Sequence, residues 1–203
     1  MKVSQSEKAK EFLLKNDPVL ATVIKTLPPL EERLGKNYFL DLVESIISQQ
    51  LSIKAADTIW GRFKLLFNGK EITAQKVLKI EDQKIRDCGI SWSKIKYIKD
   101  LAKHTKESRL MFEKFDQMDN EDIVRELVKV KGIGQWTAEM FLIFTMGRPD
   151  VFSYGDLAIR RAIEKLYKLK SEPTQKQAEK LSQKWIPYRS YACRYLWKSL
   201  EMK

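Results

Sequence analysis

Apolar residues recur every three or four positions along most of the chain, which is the spacing of amphipathic helices. In the first such segment, SEKAKEFLLK, the residues Ala9, Phe12 and Leu13 fall on one face. A longer segment, 39–67, continues the pattern but is interrupted by the polar residues SQQLS, so we expect two helices joined there. No stretch alternates apolar and polar residues as a half-buried strand does. The pattern predicts an all-α protein of about eight to ten helices.

Capping residues indicate where several of these helices begin. Ser91 or Ser93 can cap the helix in SWSKIKYIKDLAKHT, and Asp119 or Asn120 can cap the helix in EDIVRELVKV. Side-chain oxygens at these positions accept a hydrogen bond from a first-turn amide that has no partner within its helix. The pair Pro28–Pro29 predicts a turn after the first helical segment.

The segment KVKGIGQWTAEM, 129–140, joins two of the predicted helices through a short turn that contains Gly132 and Gly134. We expect both glycines to supply backbone freedom. A dinucleotide-binding loop would follow a strand and carry a third glycine where Thr137 stands, and a P-loop would continue with Gly-Lys-Ser/Thr. The remaining interpretations are a helix–turn–helix whose amides bind a DNA phosphate, and a plain corner between helices without a ligand.

The charge balance narrows the choice of partner. Lysine and arginine number 38 against 27 aspartates and glutamates, which gives a net charge of +11. Such an excess favours a polyanion, with nucleic acid ahead of a membrane surface, and the alternative is a basic protein without such a partner. The longest apolar run, MFLIFTM, is too short to span a bilayer, and the opening residues lack the apolar core of a secretory signal. We expect an intracellular protein, in the cytoplasm or nucleoid, or in the nucleus of a eukaryote.

Cysteine and histidine are scarce, which excludes several kinds of site. Cys88 and Cys193 are too few for a zinc or iron–sulfur centre, and we expect them to be reduced core residues. His104 is the single histidine, so a multi-histidine metal site is excluded and a Ser-His-Asp hydrolase is disfavoured. We expect His104 to be solvated at the surface.

Four segments, spread over about residues 40–200, together resemble the helix–hairpin–helix DNA glycosylase superfamily. In chain order they are SIISQQLSIKAADTIWGRF, LVKVKGIGQWTAEMFLIF, RPDVFSYGDLAIRRAI and KWIPYRSYACRYLW. The first resembles a segment that such enzymes insert into the minor groove, and the second resembles their hairpin. The third resembles the loop after the hairpin, with its aspartate at Asp156. The fourth resembles the C-terminal signature of the 3-methyladenine DNA glycosylase II branch. The chain is similar to a compact form that lacks the branch's N-terminal β-rich domain.

The resemblance implies a single glycosylase domain, 1–203, with two helical lobes and a cleft between them. One lobe is expected at about 36–118, and the other at about 1–35 together with 119–203. The helix–hairpin–helix is expected at about 121–147.

The resemblance also assigns the chemistry. Asp156 stands at the catalytic position, where a carboxylate can stabilise the positive charge that base loss leaves on the sugar and can orient or deprotonate water. The alternative role is a helix cap without chemistry, and Asp150 is the second candidate carboxylate. Trp136 occupies the position at which strand-cutting relatives carry a Schiff-base lysine, and its indole has no such amine. We therefore expect hydrolysis of the N-glycosidic bond alone.

The base pocket is expected to contain Trp136, Met140 and Trp197, because these match the family's pocket positions. Alkylation at purine N3 or N7 makes the base cationic, and electron-rich indole faces attract cations. Gln50 matches the residue that fills the gap left by a flipped base, with Gln49 and Ser52 beside it to contact neighbouring bases. The alternative for these three polar residues is a simple joint between helices.

In the hairpin, the amides of Gly132, Gly134 and Trp136 are expected to face a DNA phosphate. By resemblance, a monovalent cation such as Na⁺ or K⁺ is expected on the backbone carbonyls of Val128, Val130 and Ile133. No other cofactor and no iron–sulfur cluster are expected.

The sequence thus predicts a monomeric, monofunctional glycosylase of base excision repair. Its expected partner is double-stranded DNA that contains alkylated purines such as 3-methyladenine and 7-methylguanine, and no membrane. Two alternatives remain at this point: a protein that binds lesions or junctions without catalysis, and a glycosylase for another class of lesion.

Overall fold

The computed structural model describes residues 4–28, 30–31, 35 and 37–201. Within these ranges the regular secondary structure is entirely helical, which confirms the all-α prediction for them. None of the helices described there is long and apolar enough to cross a membrane. The α-helices, numbered in chain order, are α1 Gln5–Asn16, α2 Pro18–Ile24, α3 Tyr38–Ser48, α4 Ile53–Leu65, α5 Ala74–Lys79, α6 Asp82–Asp87, α7 Trp92–Lys106, α8 Asn120–Leu127, α9 Gln135–Met140, α10 Leu157–Leu166, α11 Gln175–Ser182 and α12 Arg189–Glu201.

Three shorter helical turns complete the regular structure of the described chain. Two are 3₁₀ turns, Phe112–Gln117 and Gln183–Trp185, and one is a π-helical turn, Phe141–Thr145, which directly follows α9. The sequence pattern predicted a continuous helix in TAEMFLIFTM. The change from α to π winding at Phe141 shifts the direction of the side chains that follow.

The chain divides into two compact units. The terminal unit is Met1–Leu34 with Leu142–Lys203, and the middle unit is Gly35–Phe141. The second boundary therefore falls at 141/142, whereas the sequence placed it at 118/119. The predicted cleft between lobes stays a prediction.

The helix–hairpin–helix belongs to the middle unit because its turn is anchored on α7. The backbone amide of Lys131 donates to the Asp100 carboxylate over 2.9 Å. Gly132 packs directly against the ring of Tyr97. These contacts hold the hairpin against α7 within the middle unit.

In the middle unit, α7 packs against α3 and α5, and α3 packs against α4. The predicted joint is confirmed: α3 ends at Ser48, and α4 begins at Ile53 with the Ser52 hydroxyl accepting a bond from the Ala55 amide. The buried faces carry the apolar residues of the periodic pattern, and Phe63 and Phe115 are among the largest fully buried side chains.

In the terminal unit, helices from the two ends of the chain share one core. Ala9 and Leu13 of α1 are fully buried as predicted, and Phe12 packs at the edge of the same cluster. Trp185 and Tyr195 are among the largest side chains in that core. Pro29, half of the predicted proline turn, lies outside the described residues.

Several local predictions can be compared with the structure. Ser91 is the cap of α7, and its hydroxyl accepts a bond from the Lys94 amide. Asp119 occupies the cap position of α8, but its side chain makes no capping bond. Cys88 and Cys193 are both free and buried, as expected.

The expectation that the histidine is solvated is wrong. The His104 side chain is only 14% exposed because it lies against the preceding turn of α7. Its Nδ1 atom is 3.0 Å from the Asp100 carbonyl oxygen and 3.6 Å from the Asp100 carboxylate.

A buried carboxylate fixes the start of α2 to the core of the terminal unit. Asp17 is fully buried and caps α2 by accepting bonds from the amides of Val19 and Leu20, each over 3.1 Å. The indole of Trp185 donates to the same carboxylate over 2.7 Å. Asp17 therefore joins α2 to the segment that follows α11.

Two further groups complete the environment of Asp17. The Tyr167 hydroxyl donates to its carboxylate, and the Lys184 ammonium lies 3.0 Å from it. Burial alone would raise the pKa of the Asp17 carboxyl, but the hydrogen bonds from Tyr167, Trp185, the Leu20 amide and Lys184 outweigh burial and lower this pKa. A depressed pKa in the folded state means that the charged carboxylate stabilises the fold above its unfolded pKa, and that this stability is lost as the pH falls.

We therefore expect Asp17→Asn to lower the free energy of unfolding at neutral pH by about 2–3 kcal/mol. The amide nitrogen of asparagine cannot accept a bond from Tyr167, and the charge opposite Lys184 is lost. Urea unfolding from pH 7 to pH 3 measures the effect: the wild type should lose stability below about pH 5, and the variant should lose less. Asp57→Asn, at an exposed site on α4, is the control. Equal stability of the two variants at neutral pH would contradict the assignment.

Candidate active site

The hairpin turn requires glycine at Gly132. Its φ angle is +83°, a backbone conformation that residues other than glycine rarely adopt. A Cβ atom there would lie 2.2 Å from Cδ2 of Tyr97, far inside van der Waals contact. The close approach of the turn to α7 is thus possible only without a side chain.

Gly134 differs, and the expectation that it needs backbone freedom is wrong. Its φ of −92° and ψ of 175° are open to any residue, and an added Cβ would meet nothing within 4 Å. Gly134 is the cap residue of α9 and offers no side chain to the first turn. Among the described residues its amide has no hydrogen-bond acceptor. The bare backbone at Gly134 therefore faces open space.

The predicted pocket residues of the middle unit lie on α9. The Trp136 side chain is 47% exposed, and Met140, at the end of the helix, is partly buried. The residues between them are buried in the core and hold the helix in place. The orientation of α9 thus leaves the Trp136 indole accessible to solvent directly after the hairpin turn.

The carbonyls predicted to hold a cation lie on the approach to the turn and within it. Val128 is the cap residue directly after α8 and is 42% exposed, whereas Val130 and Ile133 are buried. The Val130 carbonyl accepts a bond from the Ile133 amide over 3.1 Å, and an oxygen with two lone pairs can accept a second interaction. The cation itself stays a prediction.

Between α3 and α4 the chain forms the plug turn, which we define as Gln49–Ser52. Gln50 is exposed and has a φ of +57°, which is unusual for a residue other than glycine. Leu51 is 38% exposed, and Ile53, which follows the turn, is 83% exposed. The plug turn thus exposes Gln50, Leu51 and Ser52, and it is followed by the exposed Ile53.

Gln49 has a partner inside the protein. Its side-chain amide donates to the Gly132 carbonyl over 3.0 Å, which ties the plug turn to the hairpin. Sequence reasoning did not foresee this bond, because the two residues are 83 positions apart. The predicted contacts of Gln49 and Ser52 with DNA bases stay predictions.

In the terminal unit the structure brings Asp156 and Trp197 together. Asp156 is 8% exposed and caps α10, with its Oδ1 accepting a bond from the Ile159 amide over 2.9 Å. The same oxygen accepts a bond from the Trp197 indole over 3.1 Å. The carboxylate is thus both a helix cap and an oriented group beside an aromatic ring.

Asp150, the second candidate carboxylate, is engaged differently. The Arg189 guanidinium donates to both of its oxygens, over 2.6 Å from Nε and 2.9 Å from Nη2. This bidentate bond raises the pKa of Arg189. Asp150 therefore acts as the anchor of the start of α12.

One aromatic residue of this site was missed by sequence reasoning. Phe144 is 46% exposed, and its ring stacks on Trp197 with centroids 5.5 Å apart and planes 29° from parallel. It lies in the π-helical turn, and α-helical periodicity does not predict which way such a side chain points. An unbroken apolar run was the only sequence signal there.

A family model and curated relatives match this chain. Residues 43–188 match the model of the HhH-GPD superfamily base excision DNA repair proteins. DNA-3-methyladenine glycosylase 1 of Schizosaccharomyces pombe is 36% identical, with 90% of this chain and 81% of that protein covered. Putative DNA-3-methyladenine glycosylase YfjP of Bacillus subtilis is 32% identical, with 84% and 64% covered.

Solved structures are similar over nearly the whole chain. The crystal structure of a DNA-3-methyladenine glycosidase from Bacillus halodurans superimposes with a TM-score of 0.86 at 34% identity, covering 98% of this chain and 92% of the other. The 3-methyladenine DNA glycosylase of S. pombe in complex with abasic DNA gives a TM-score of 0.81 at 33% identity, with 96% and 97% covered.

Proposed function

The chain belongs to the HhH-GPD superfamily of base excision DNA repair proteins, and we propose that it is a monofunctional DNA glycosylase for cationic alkylated purines. Its substrates are bases such as 3-methyladenine and 7-methylguanine in double-stranded DNA. The observation that carries the proposal is the Asp156 carboxylate, held beside the Trp197 indole by a hydrogen bond. The names of the relatives support the choice of alkylated bases.

Asp156 stabilises the reacting sugar. As the N-glycosidic bond breaks, positive charge develops on the sugar, and a fixed carboxylate lowers the energy of that state. The bonds from the Ile159 amide and the Trp197 indole to one oxygen fix the orientation of the carboxylate before substrate arrives. Asp150 is already bound by Arg189, which favours Asp156 for this role.

The aromatic residues supply the selectivity. An alkylated purine carries a positive charge, and the indole faces of Trp136 and Trp197 attract it in a way that they do not attract a neutral base. The same charge weakens the glycosidic bond, so a carboxylate and a water molecule suffice. Trp136 has no amine to attack the sugar, so water is the nucleophile and the product is an abasic site.

Duplex DNA is bound through the hairpin and the plug turn. Gly134 is exposed and its amide makes no hydrogen bond among the described residues, so a backbone phosphate can bind there. A cation on the carbonyls of Val128, Val130 and Ile133 would add positive field at the hairpin. Gln50 fills the gap that the flipped base leaves. The net charge of +11 supports attraction to DNA as a whole.

The Gln50→Ala variant should lose activity in a way that depends on the base opposite the lesion. Filling the gap matters most when flipping breaks good pairing and stacking, so we expect a larger drop in the single-turnover rate for a well-paired lesion than for the same lesion opposite a mismatch. Both rates are measured on one duplex sequence. Equal drops on the two duplexes would show that Gln50 does not act as the plug.

A duplex with a single 7-methylguanine tests the proposed function. After incubation with the protein, the labelled strand should stay intact, and it should be cut at the lesion only when an abasic-site endonuclease is added. A cut without the endonuclease would indicate strand-cleaving activity. No cut in either case, with lesion DNA still bound, would favour a protein that recognises damage without catalysis.

A further inference from the structure

One face of α7 contacts both the plug turn and the hairpin of the middle unit. Lys94, Tyr97 and Asp100 follow one another at helical spacing, so they lie on the same side of α7. Lys94 reaches the plug turn, and Tyr97 and Asp100 hold the hairpin turn. A single helix therefore supports the two elements that the proposed function assigns to base flipping and to phosphate binding.

Lys94 binds the end of α3. Its ammonium donates to the Ile47 carbonyl over 2.8 Å and to the Gln49 carbonyl over 2.6 Å. Carbonyls at a helix C-terminus lack intrahelical partners, and a cation there also complements the helix dipole. Burial lowers the pKa of Lys94, in agreement with an ammonium withdrawn from water to make these bonds. The residue immediately after the second bonded carbonyl is Gln50.

Gln49 closes the arrangement into a ring. Its backbone carbonyl is bound by Lys94, and its side-chain amide donates to the carbonyl of Gly132 in the hairpin. The hairpin is bound in turn to α7, through the Lys131 amide and the Asp100 carboxylate. The path thus runs from α7 to the plug turn, to the hairpin and back to α7.

We propose that Lys94 is a positioning residue that holds the plug turn in register with the hairpin, so that phosphate binding and insertion of Gln50 occur as one rigid unit. The inference rests on the proposed function. Gln50 has a left-handed backbone conformation that is costly unless its surroundings fix it. Both restraints act at Gln49, immediately before Gln50: Lys94 binds the Gln49 carbonyl, and the Gln49 side chain binds the hairpin.

The competing explanation is that Lys94 caps α3 and contributes only to stability. Lys94→Met removes the ammonium and keeps most of the side chain. Lys96→Met, at an exposed position two residues further along the same helix, removes the same charge and is the matched control. Lys94→Arg keeps a positive donor and should recover most of what Lys94→Met loses. Melting temperatures identify a common temperature at which all variants are folded.

The first measurement does not depend on catalysis. In the free protein the Leu51 amide of the plug turn donates to the carbonyl of Ser48, the last residue of α3, over 3.1 Å. Hydrogen exchange at the Leu51 amide should accelerate about tenfold or more in Lys94→Met, and should be unchanged in Lys96→Met. Unchanged exchange in Lys94→Met would overturn the positioning role, whatever the activity of the protein.

The second measurement is the single-turnover rate of base release. In Lys94→Met this rate should fall about tenfold on a well-paired lesion and clearly less on the same lesion opposite a mismatch. In Lys96→Met any fall in the rate should be the same on the two duplexes. A uniform loss in Lys94→Met would show that the residue only stabilises the protein. A wild type that releases no base would refute the proposed function and not the role of Lys94. The hydrogen-exchange result would still show whether Lys94 restrains the plug turn.

A double variant tests whether Lys94 acts through the plug. If it does, adding Lys94→Met to Gln50→Ala should cost little further rate on the paired lesion, because the group being positioned is already gone. If the two losses multiply, Lys94 acts independently of Gln50 and the proposal is overturned.

Discussion

Asp156→Asn should lower the single-turnover rate of base release by two or more orders of magnitude, or about 3 kcal/mol or more in the barrier. The substitution removes the negative charge that stabilises the sugar cation and leaves the size of the side chain unchanged. Affinity for lesion DNA should be kept or increased, because a charge that repels phosphates is removed. The loss of rate should therefore arise in the chemical step and not in DNA binding.

The fold should survive this substitution. Asparagine caps a helix about as well as aspartate, and its oxygen can still accept bonds from the Ile159 amide and the Trp197 indole. The melting temperature should therefore change little. This separates the chemical role of Asp156 from its role as a cap, which the structure shows directly.

Asp150→Asn is the matched control for the same charge in the same segment. It breaks the bidentate bond with Arg189, so it should reduce stability while the folded fraction keeps most of its excision rate. Single-turnover excision, abasic-DNA affinity and melting temperature are compared for the three proteins. A near-normal rate in folded Asp156→Asn would leave Asp156 as a cap only.

Gly132→Ala should lower the free energy of unfolding by about 3–5 kcal/mol, because strain at a positive φ adds to overpacking. The new Cβ would collide with the Tyr97 ring, 2.2 Å away, so the hairpin would have to leave α7. Loss of DNA binding should accompany the loss of stability.

Gly134→Ala is the companion variant with the opposite expectation. Its Cβ would enter open space at an ordinary backbone conformation, so stability should change by less than about 1 kcal/mol. Affinity for abasic DNA should nevertheless fall, because the methyl group would add bulk beside the amide that we propose binds a phosphate. Urea unfolding and DNA titration measure both variants. Equal stability losses, or unchanged affinity in Gly134→Ala, would contradict the roles assigned to the two glycines.

Short-range patterns in the sequence were sufficient to predict much of the fold. The interruption of apolar spacing at SQQLS located the joint between α3 and α4, because a polar break in an amphipathic pattern has few other structural meanings. Local capping chemistry also limited the start of α7 to Ser91 or Ser93, and the structure selects Ser91. The identity of Gly132 as a constrained turn residue also followed, but Gly134 has an unstrained backbone, and composition could not separate the two.

Contacts between distant residues were beyond local reasoning. The resemblance named Asp156 and Trp197 separately, but their hydrogen bond joins positions 41 apart and depends on how α10 and α12 pack. Phe144 was missed because the π-helical turn changes the register of an apolar run. Nothing in the local sequence distinguishes Lys94 from the other lysines of α7, and only the structure shows its bonds to the end of α3.

The central claim is that this protein releases cationic alkylated purines by hydrolysis, and chromatography of the bases freed from methylated duplex DNA tests it most directly. Free 3-methyladenine and 7-methylguanine should accumulate with time in the wild-type reaction, in step with abasic sites, and should be nearly absent with Asp156→Asn. Release of neutral lesions in place of the methylated purines, or no free base with protein in excess over lesions, would contradict it.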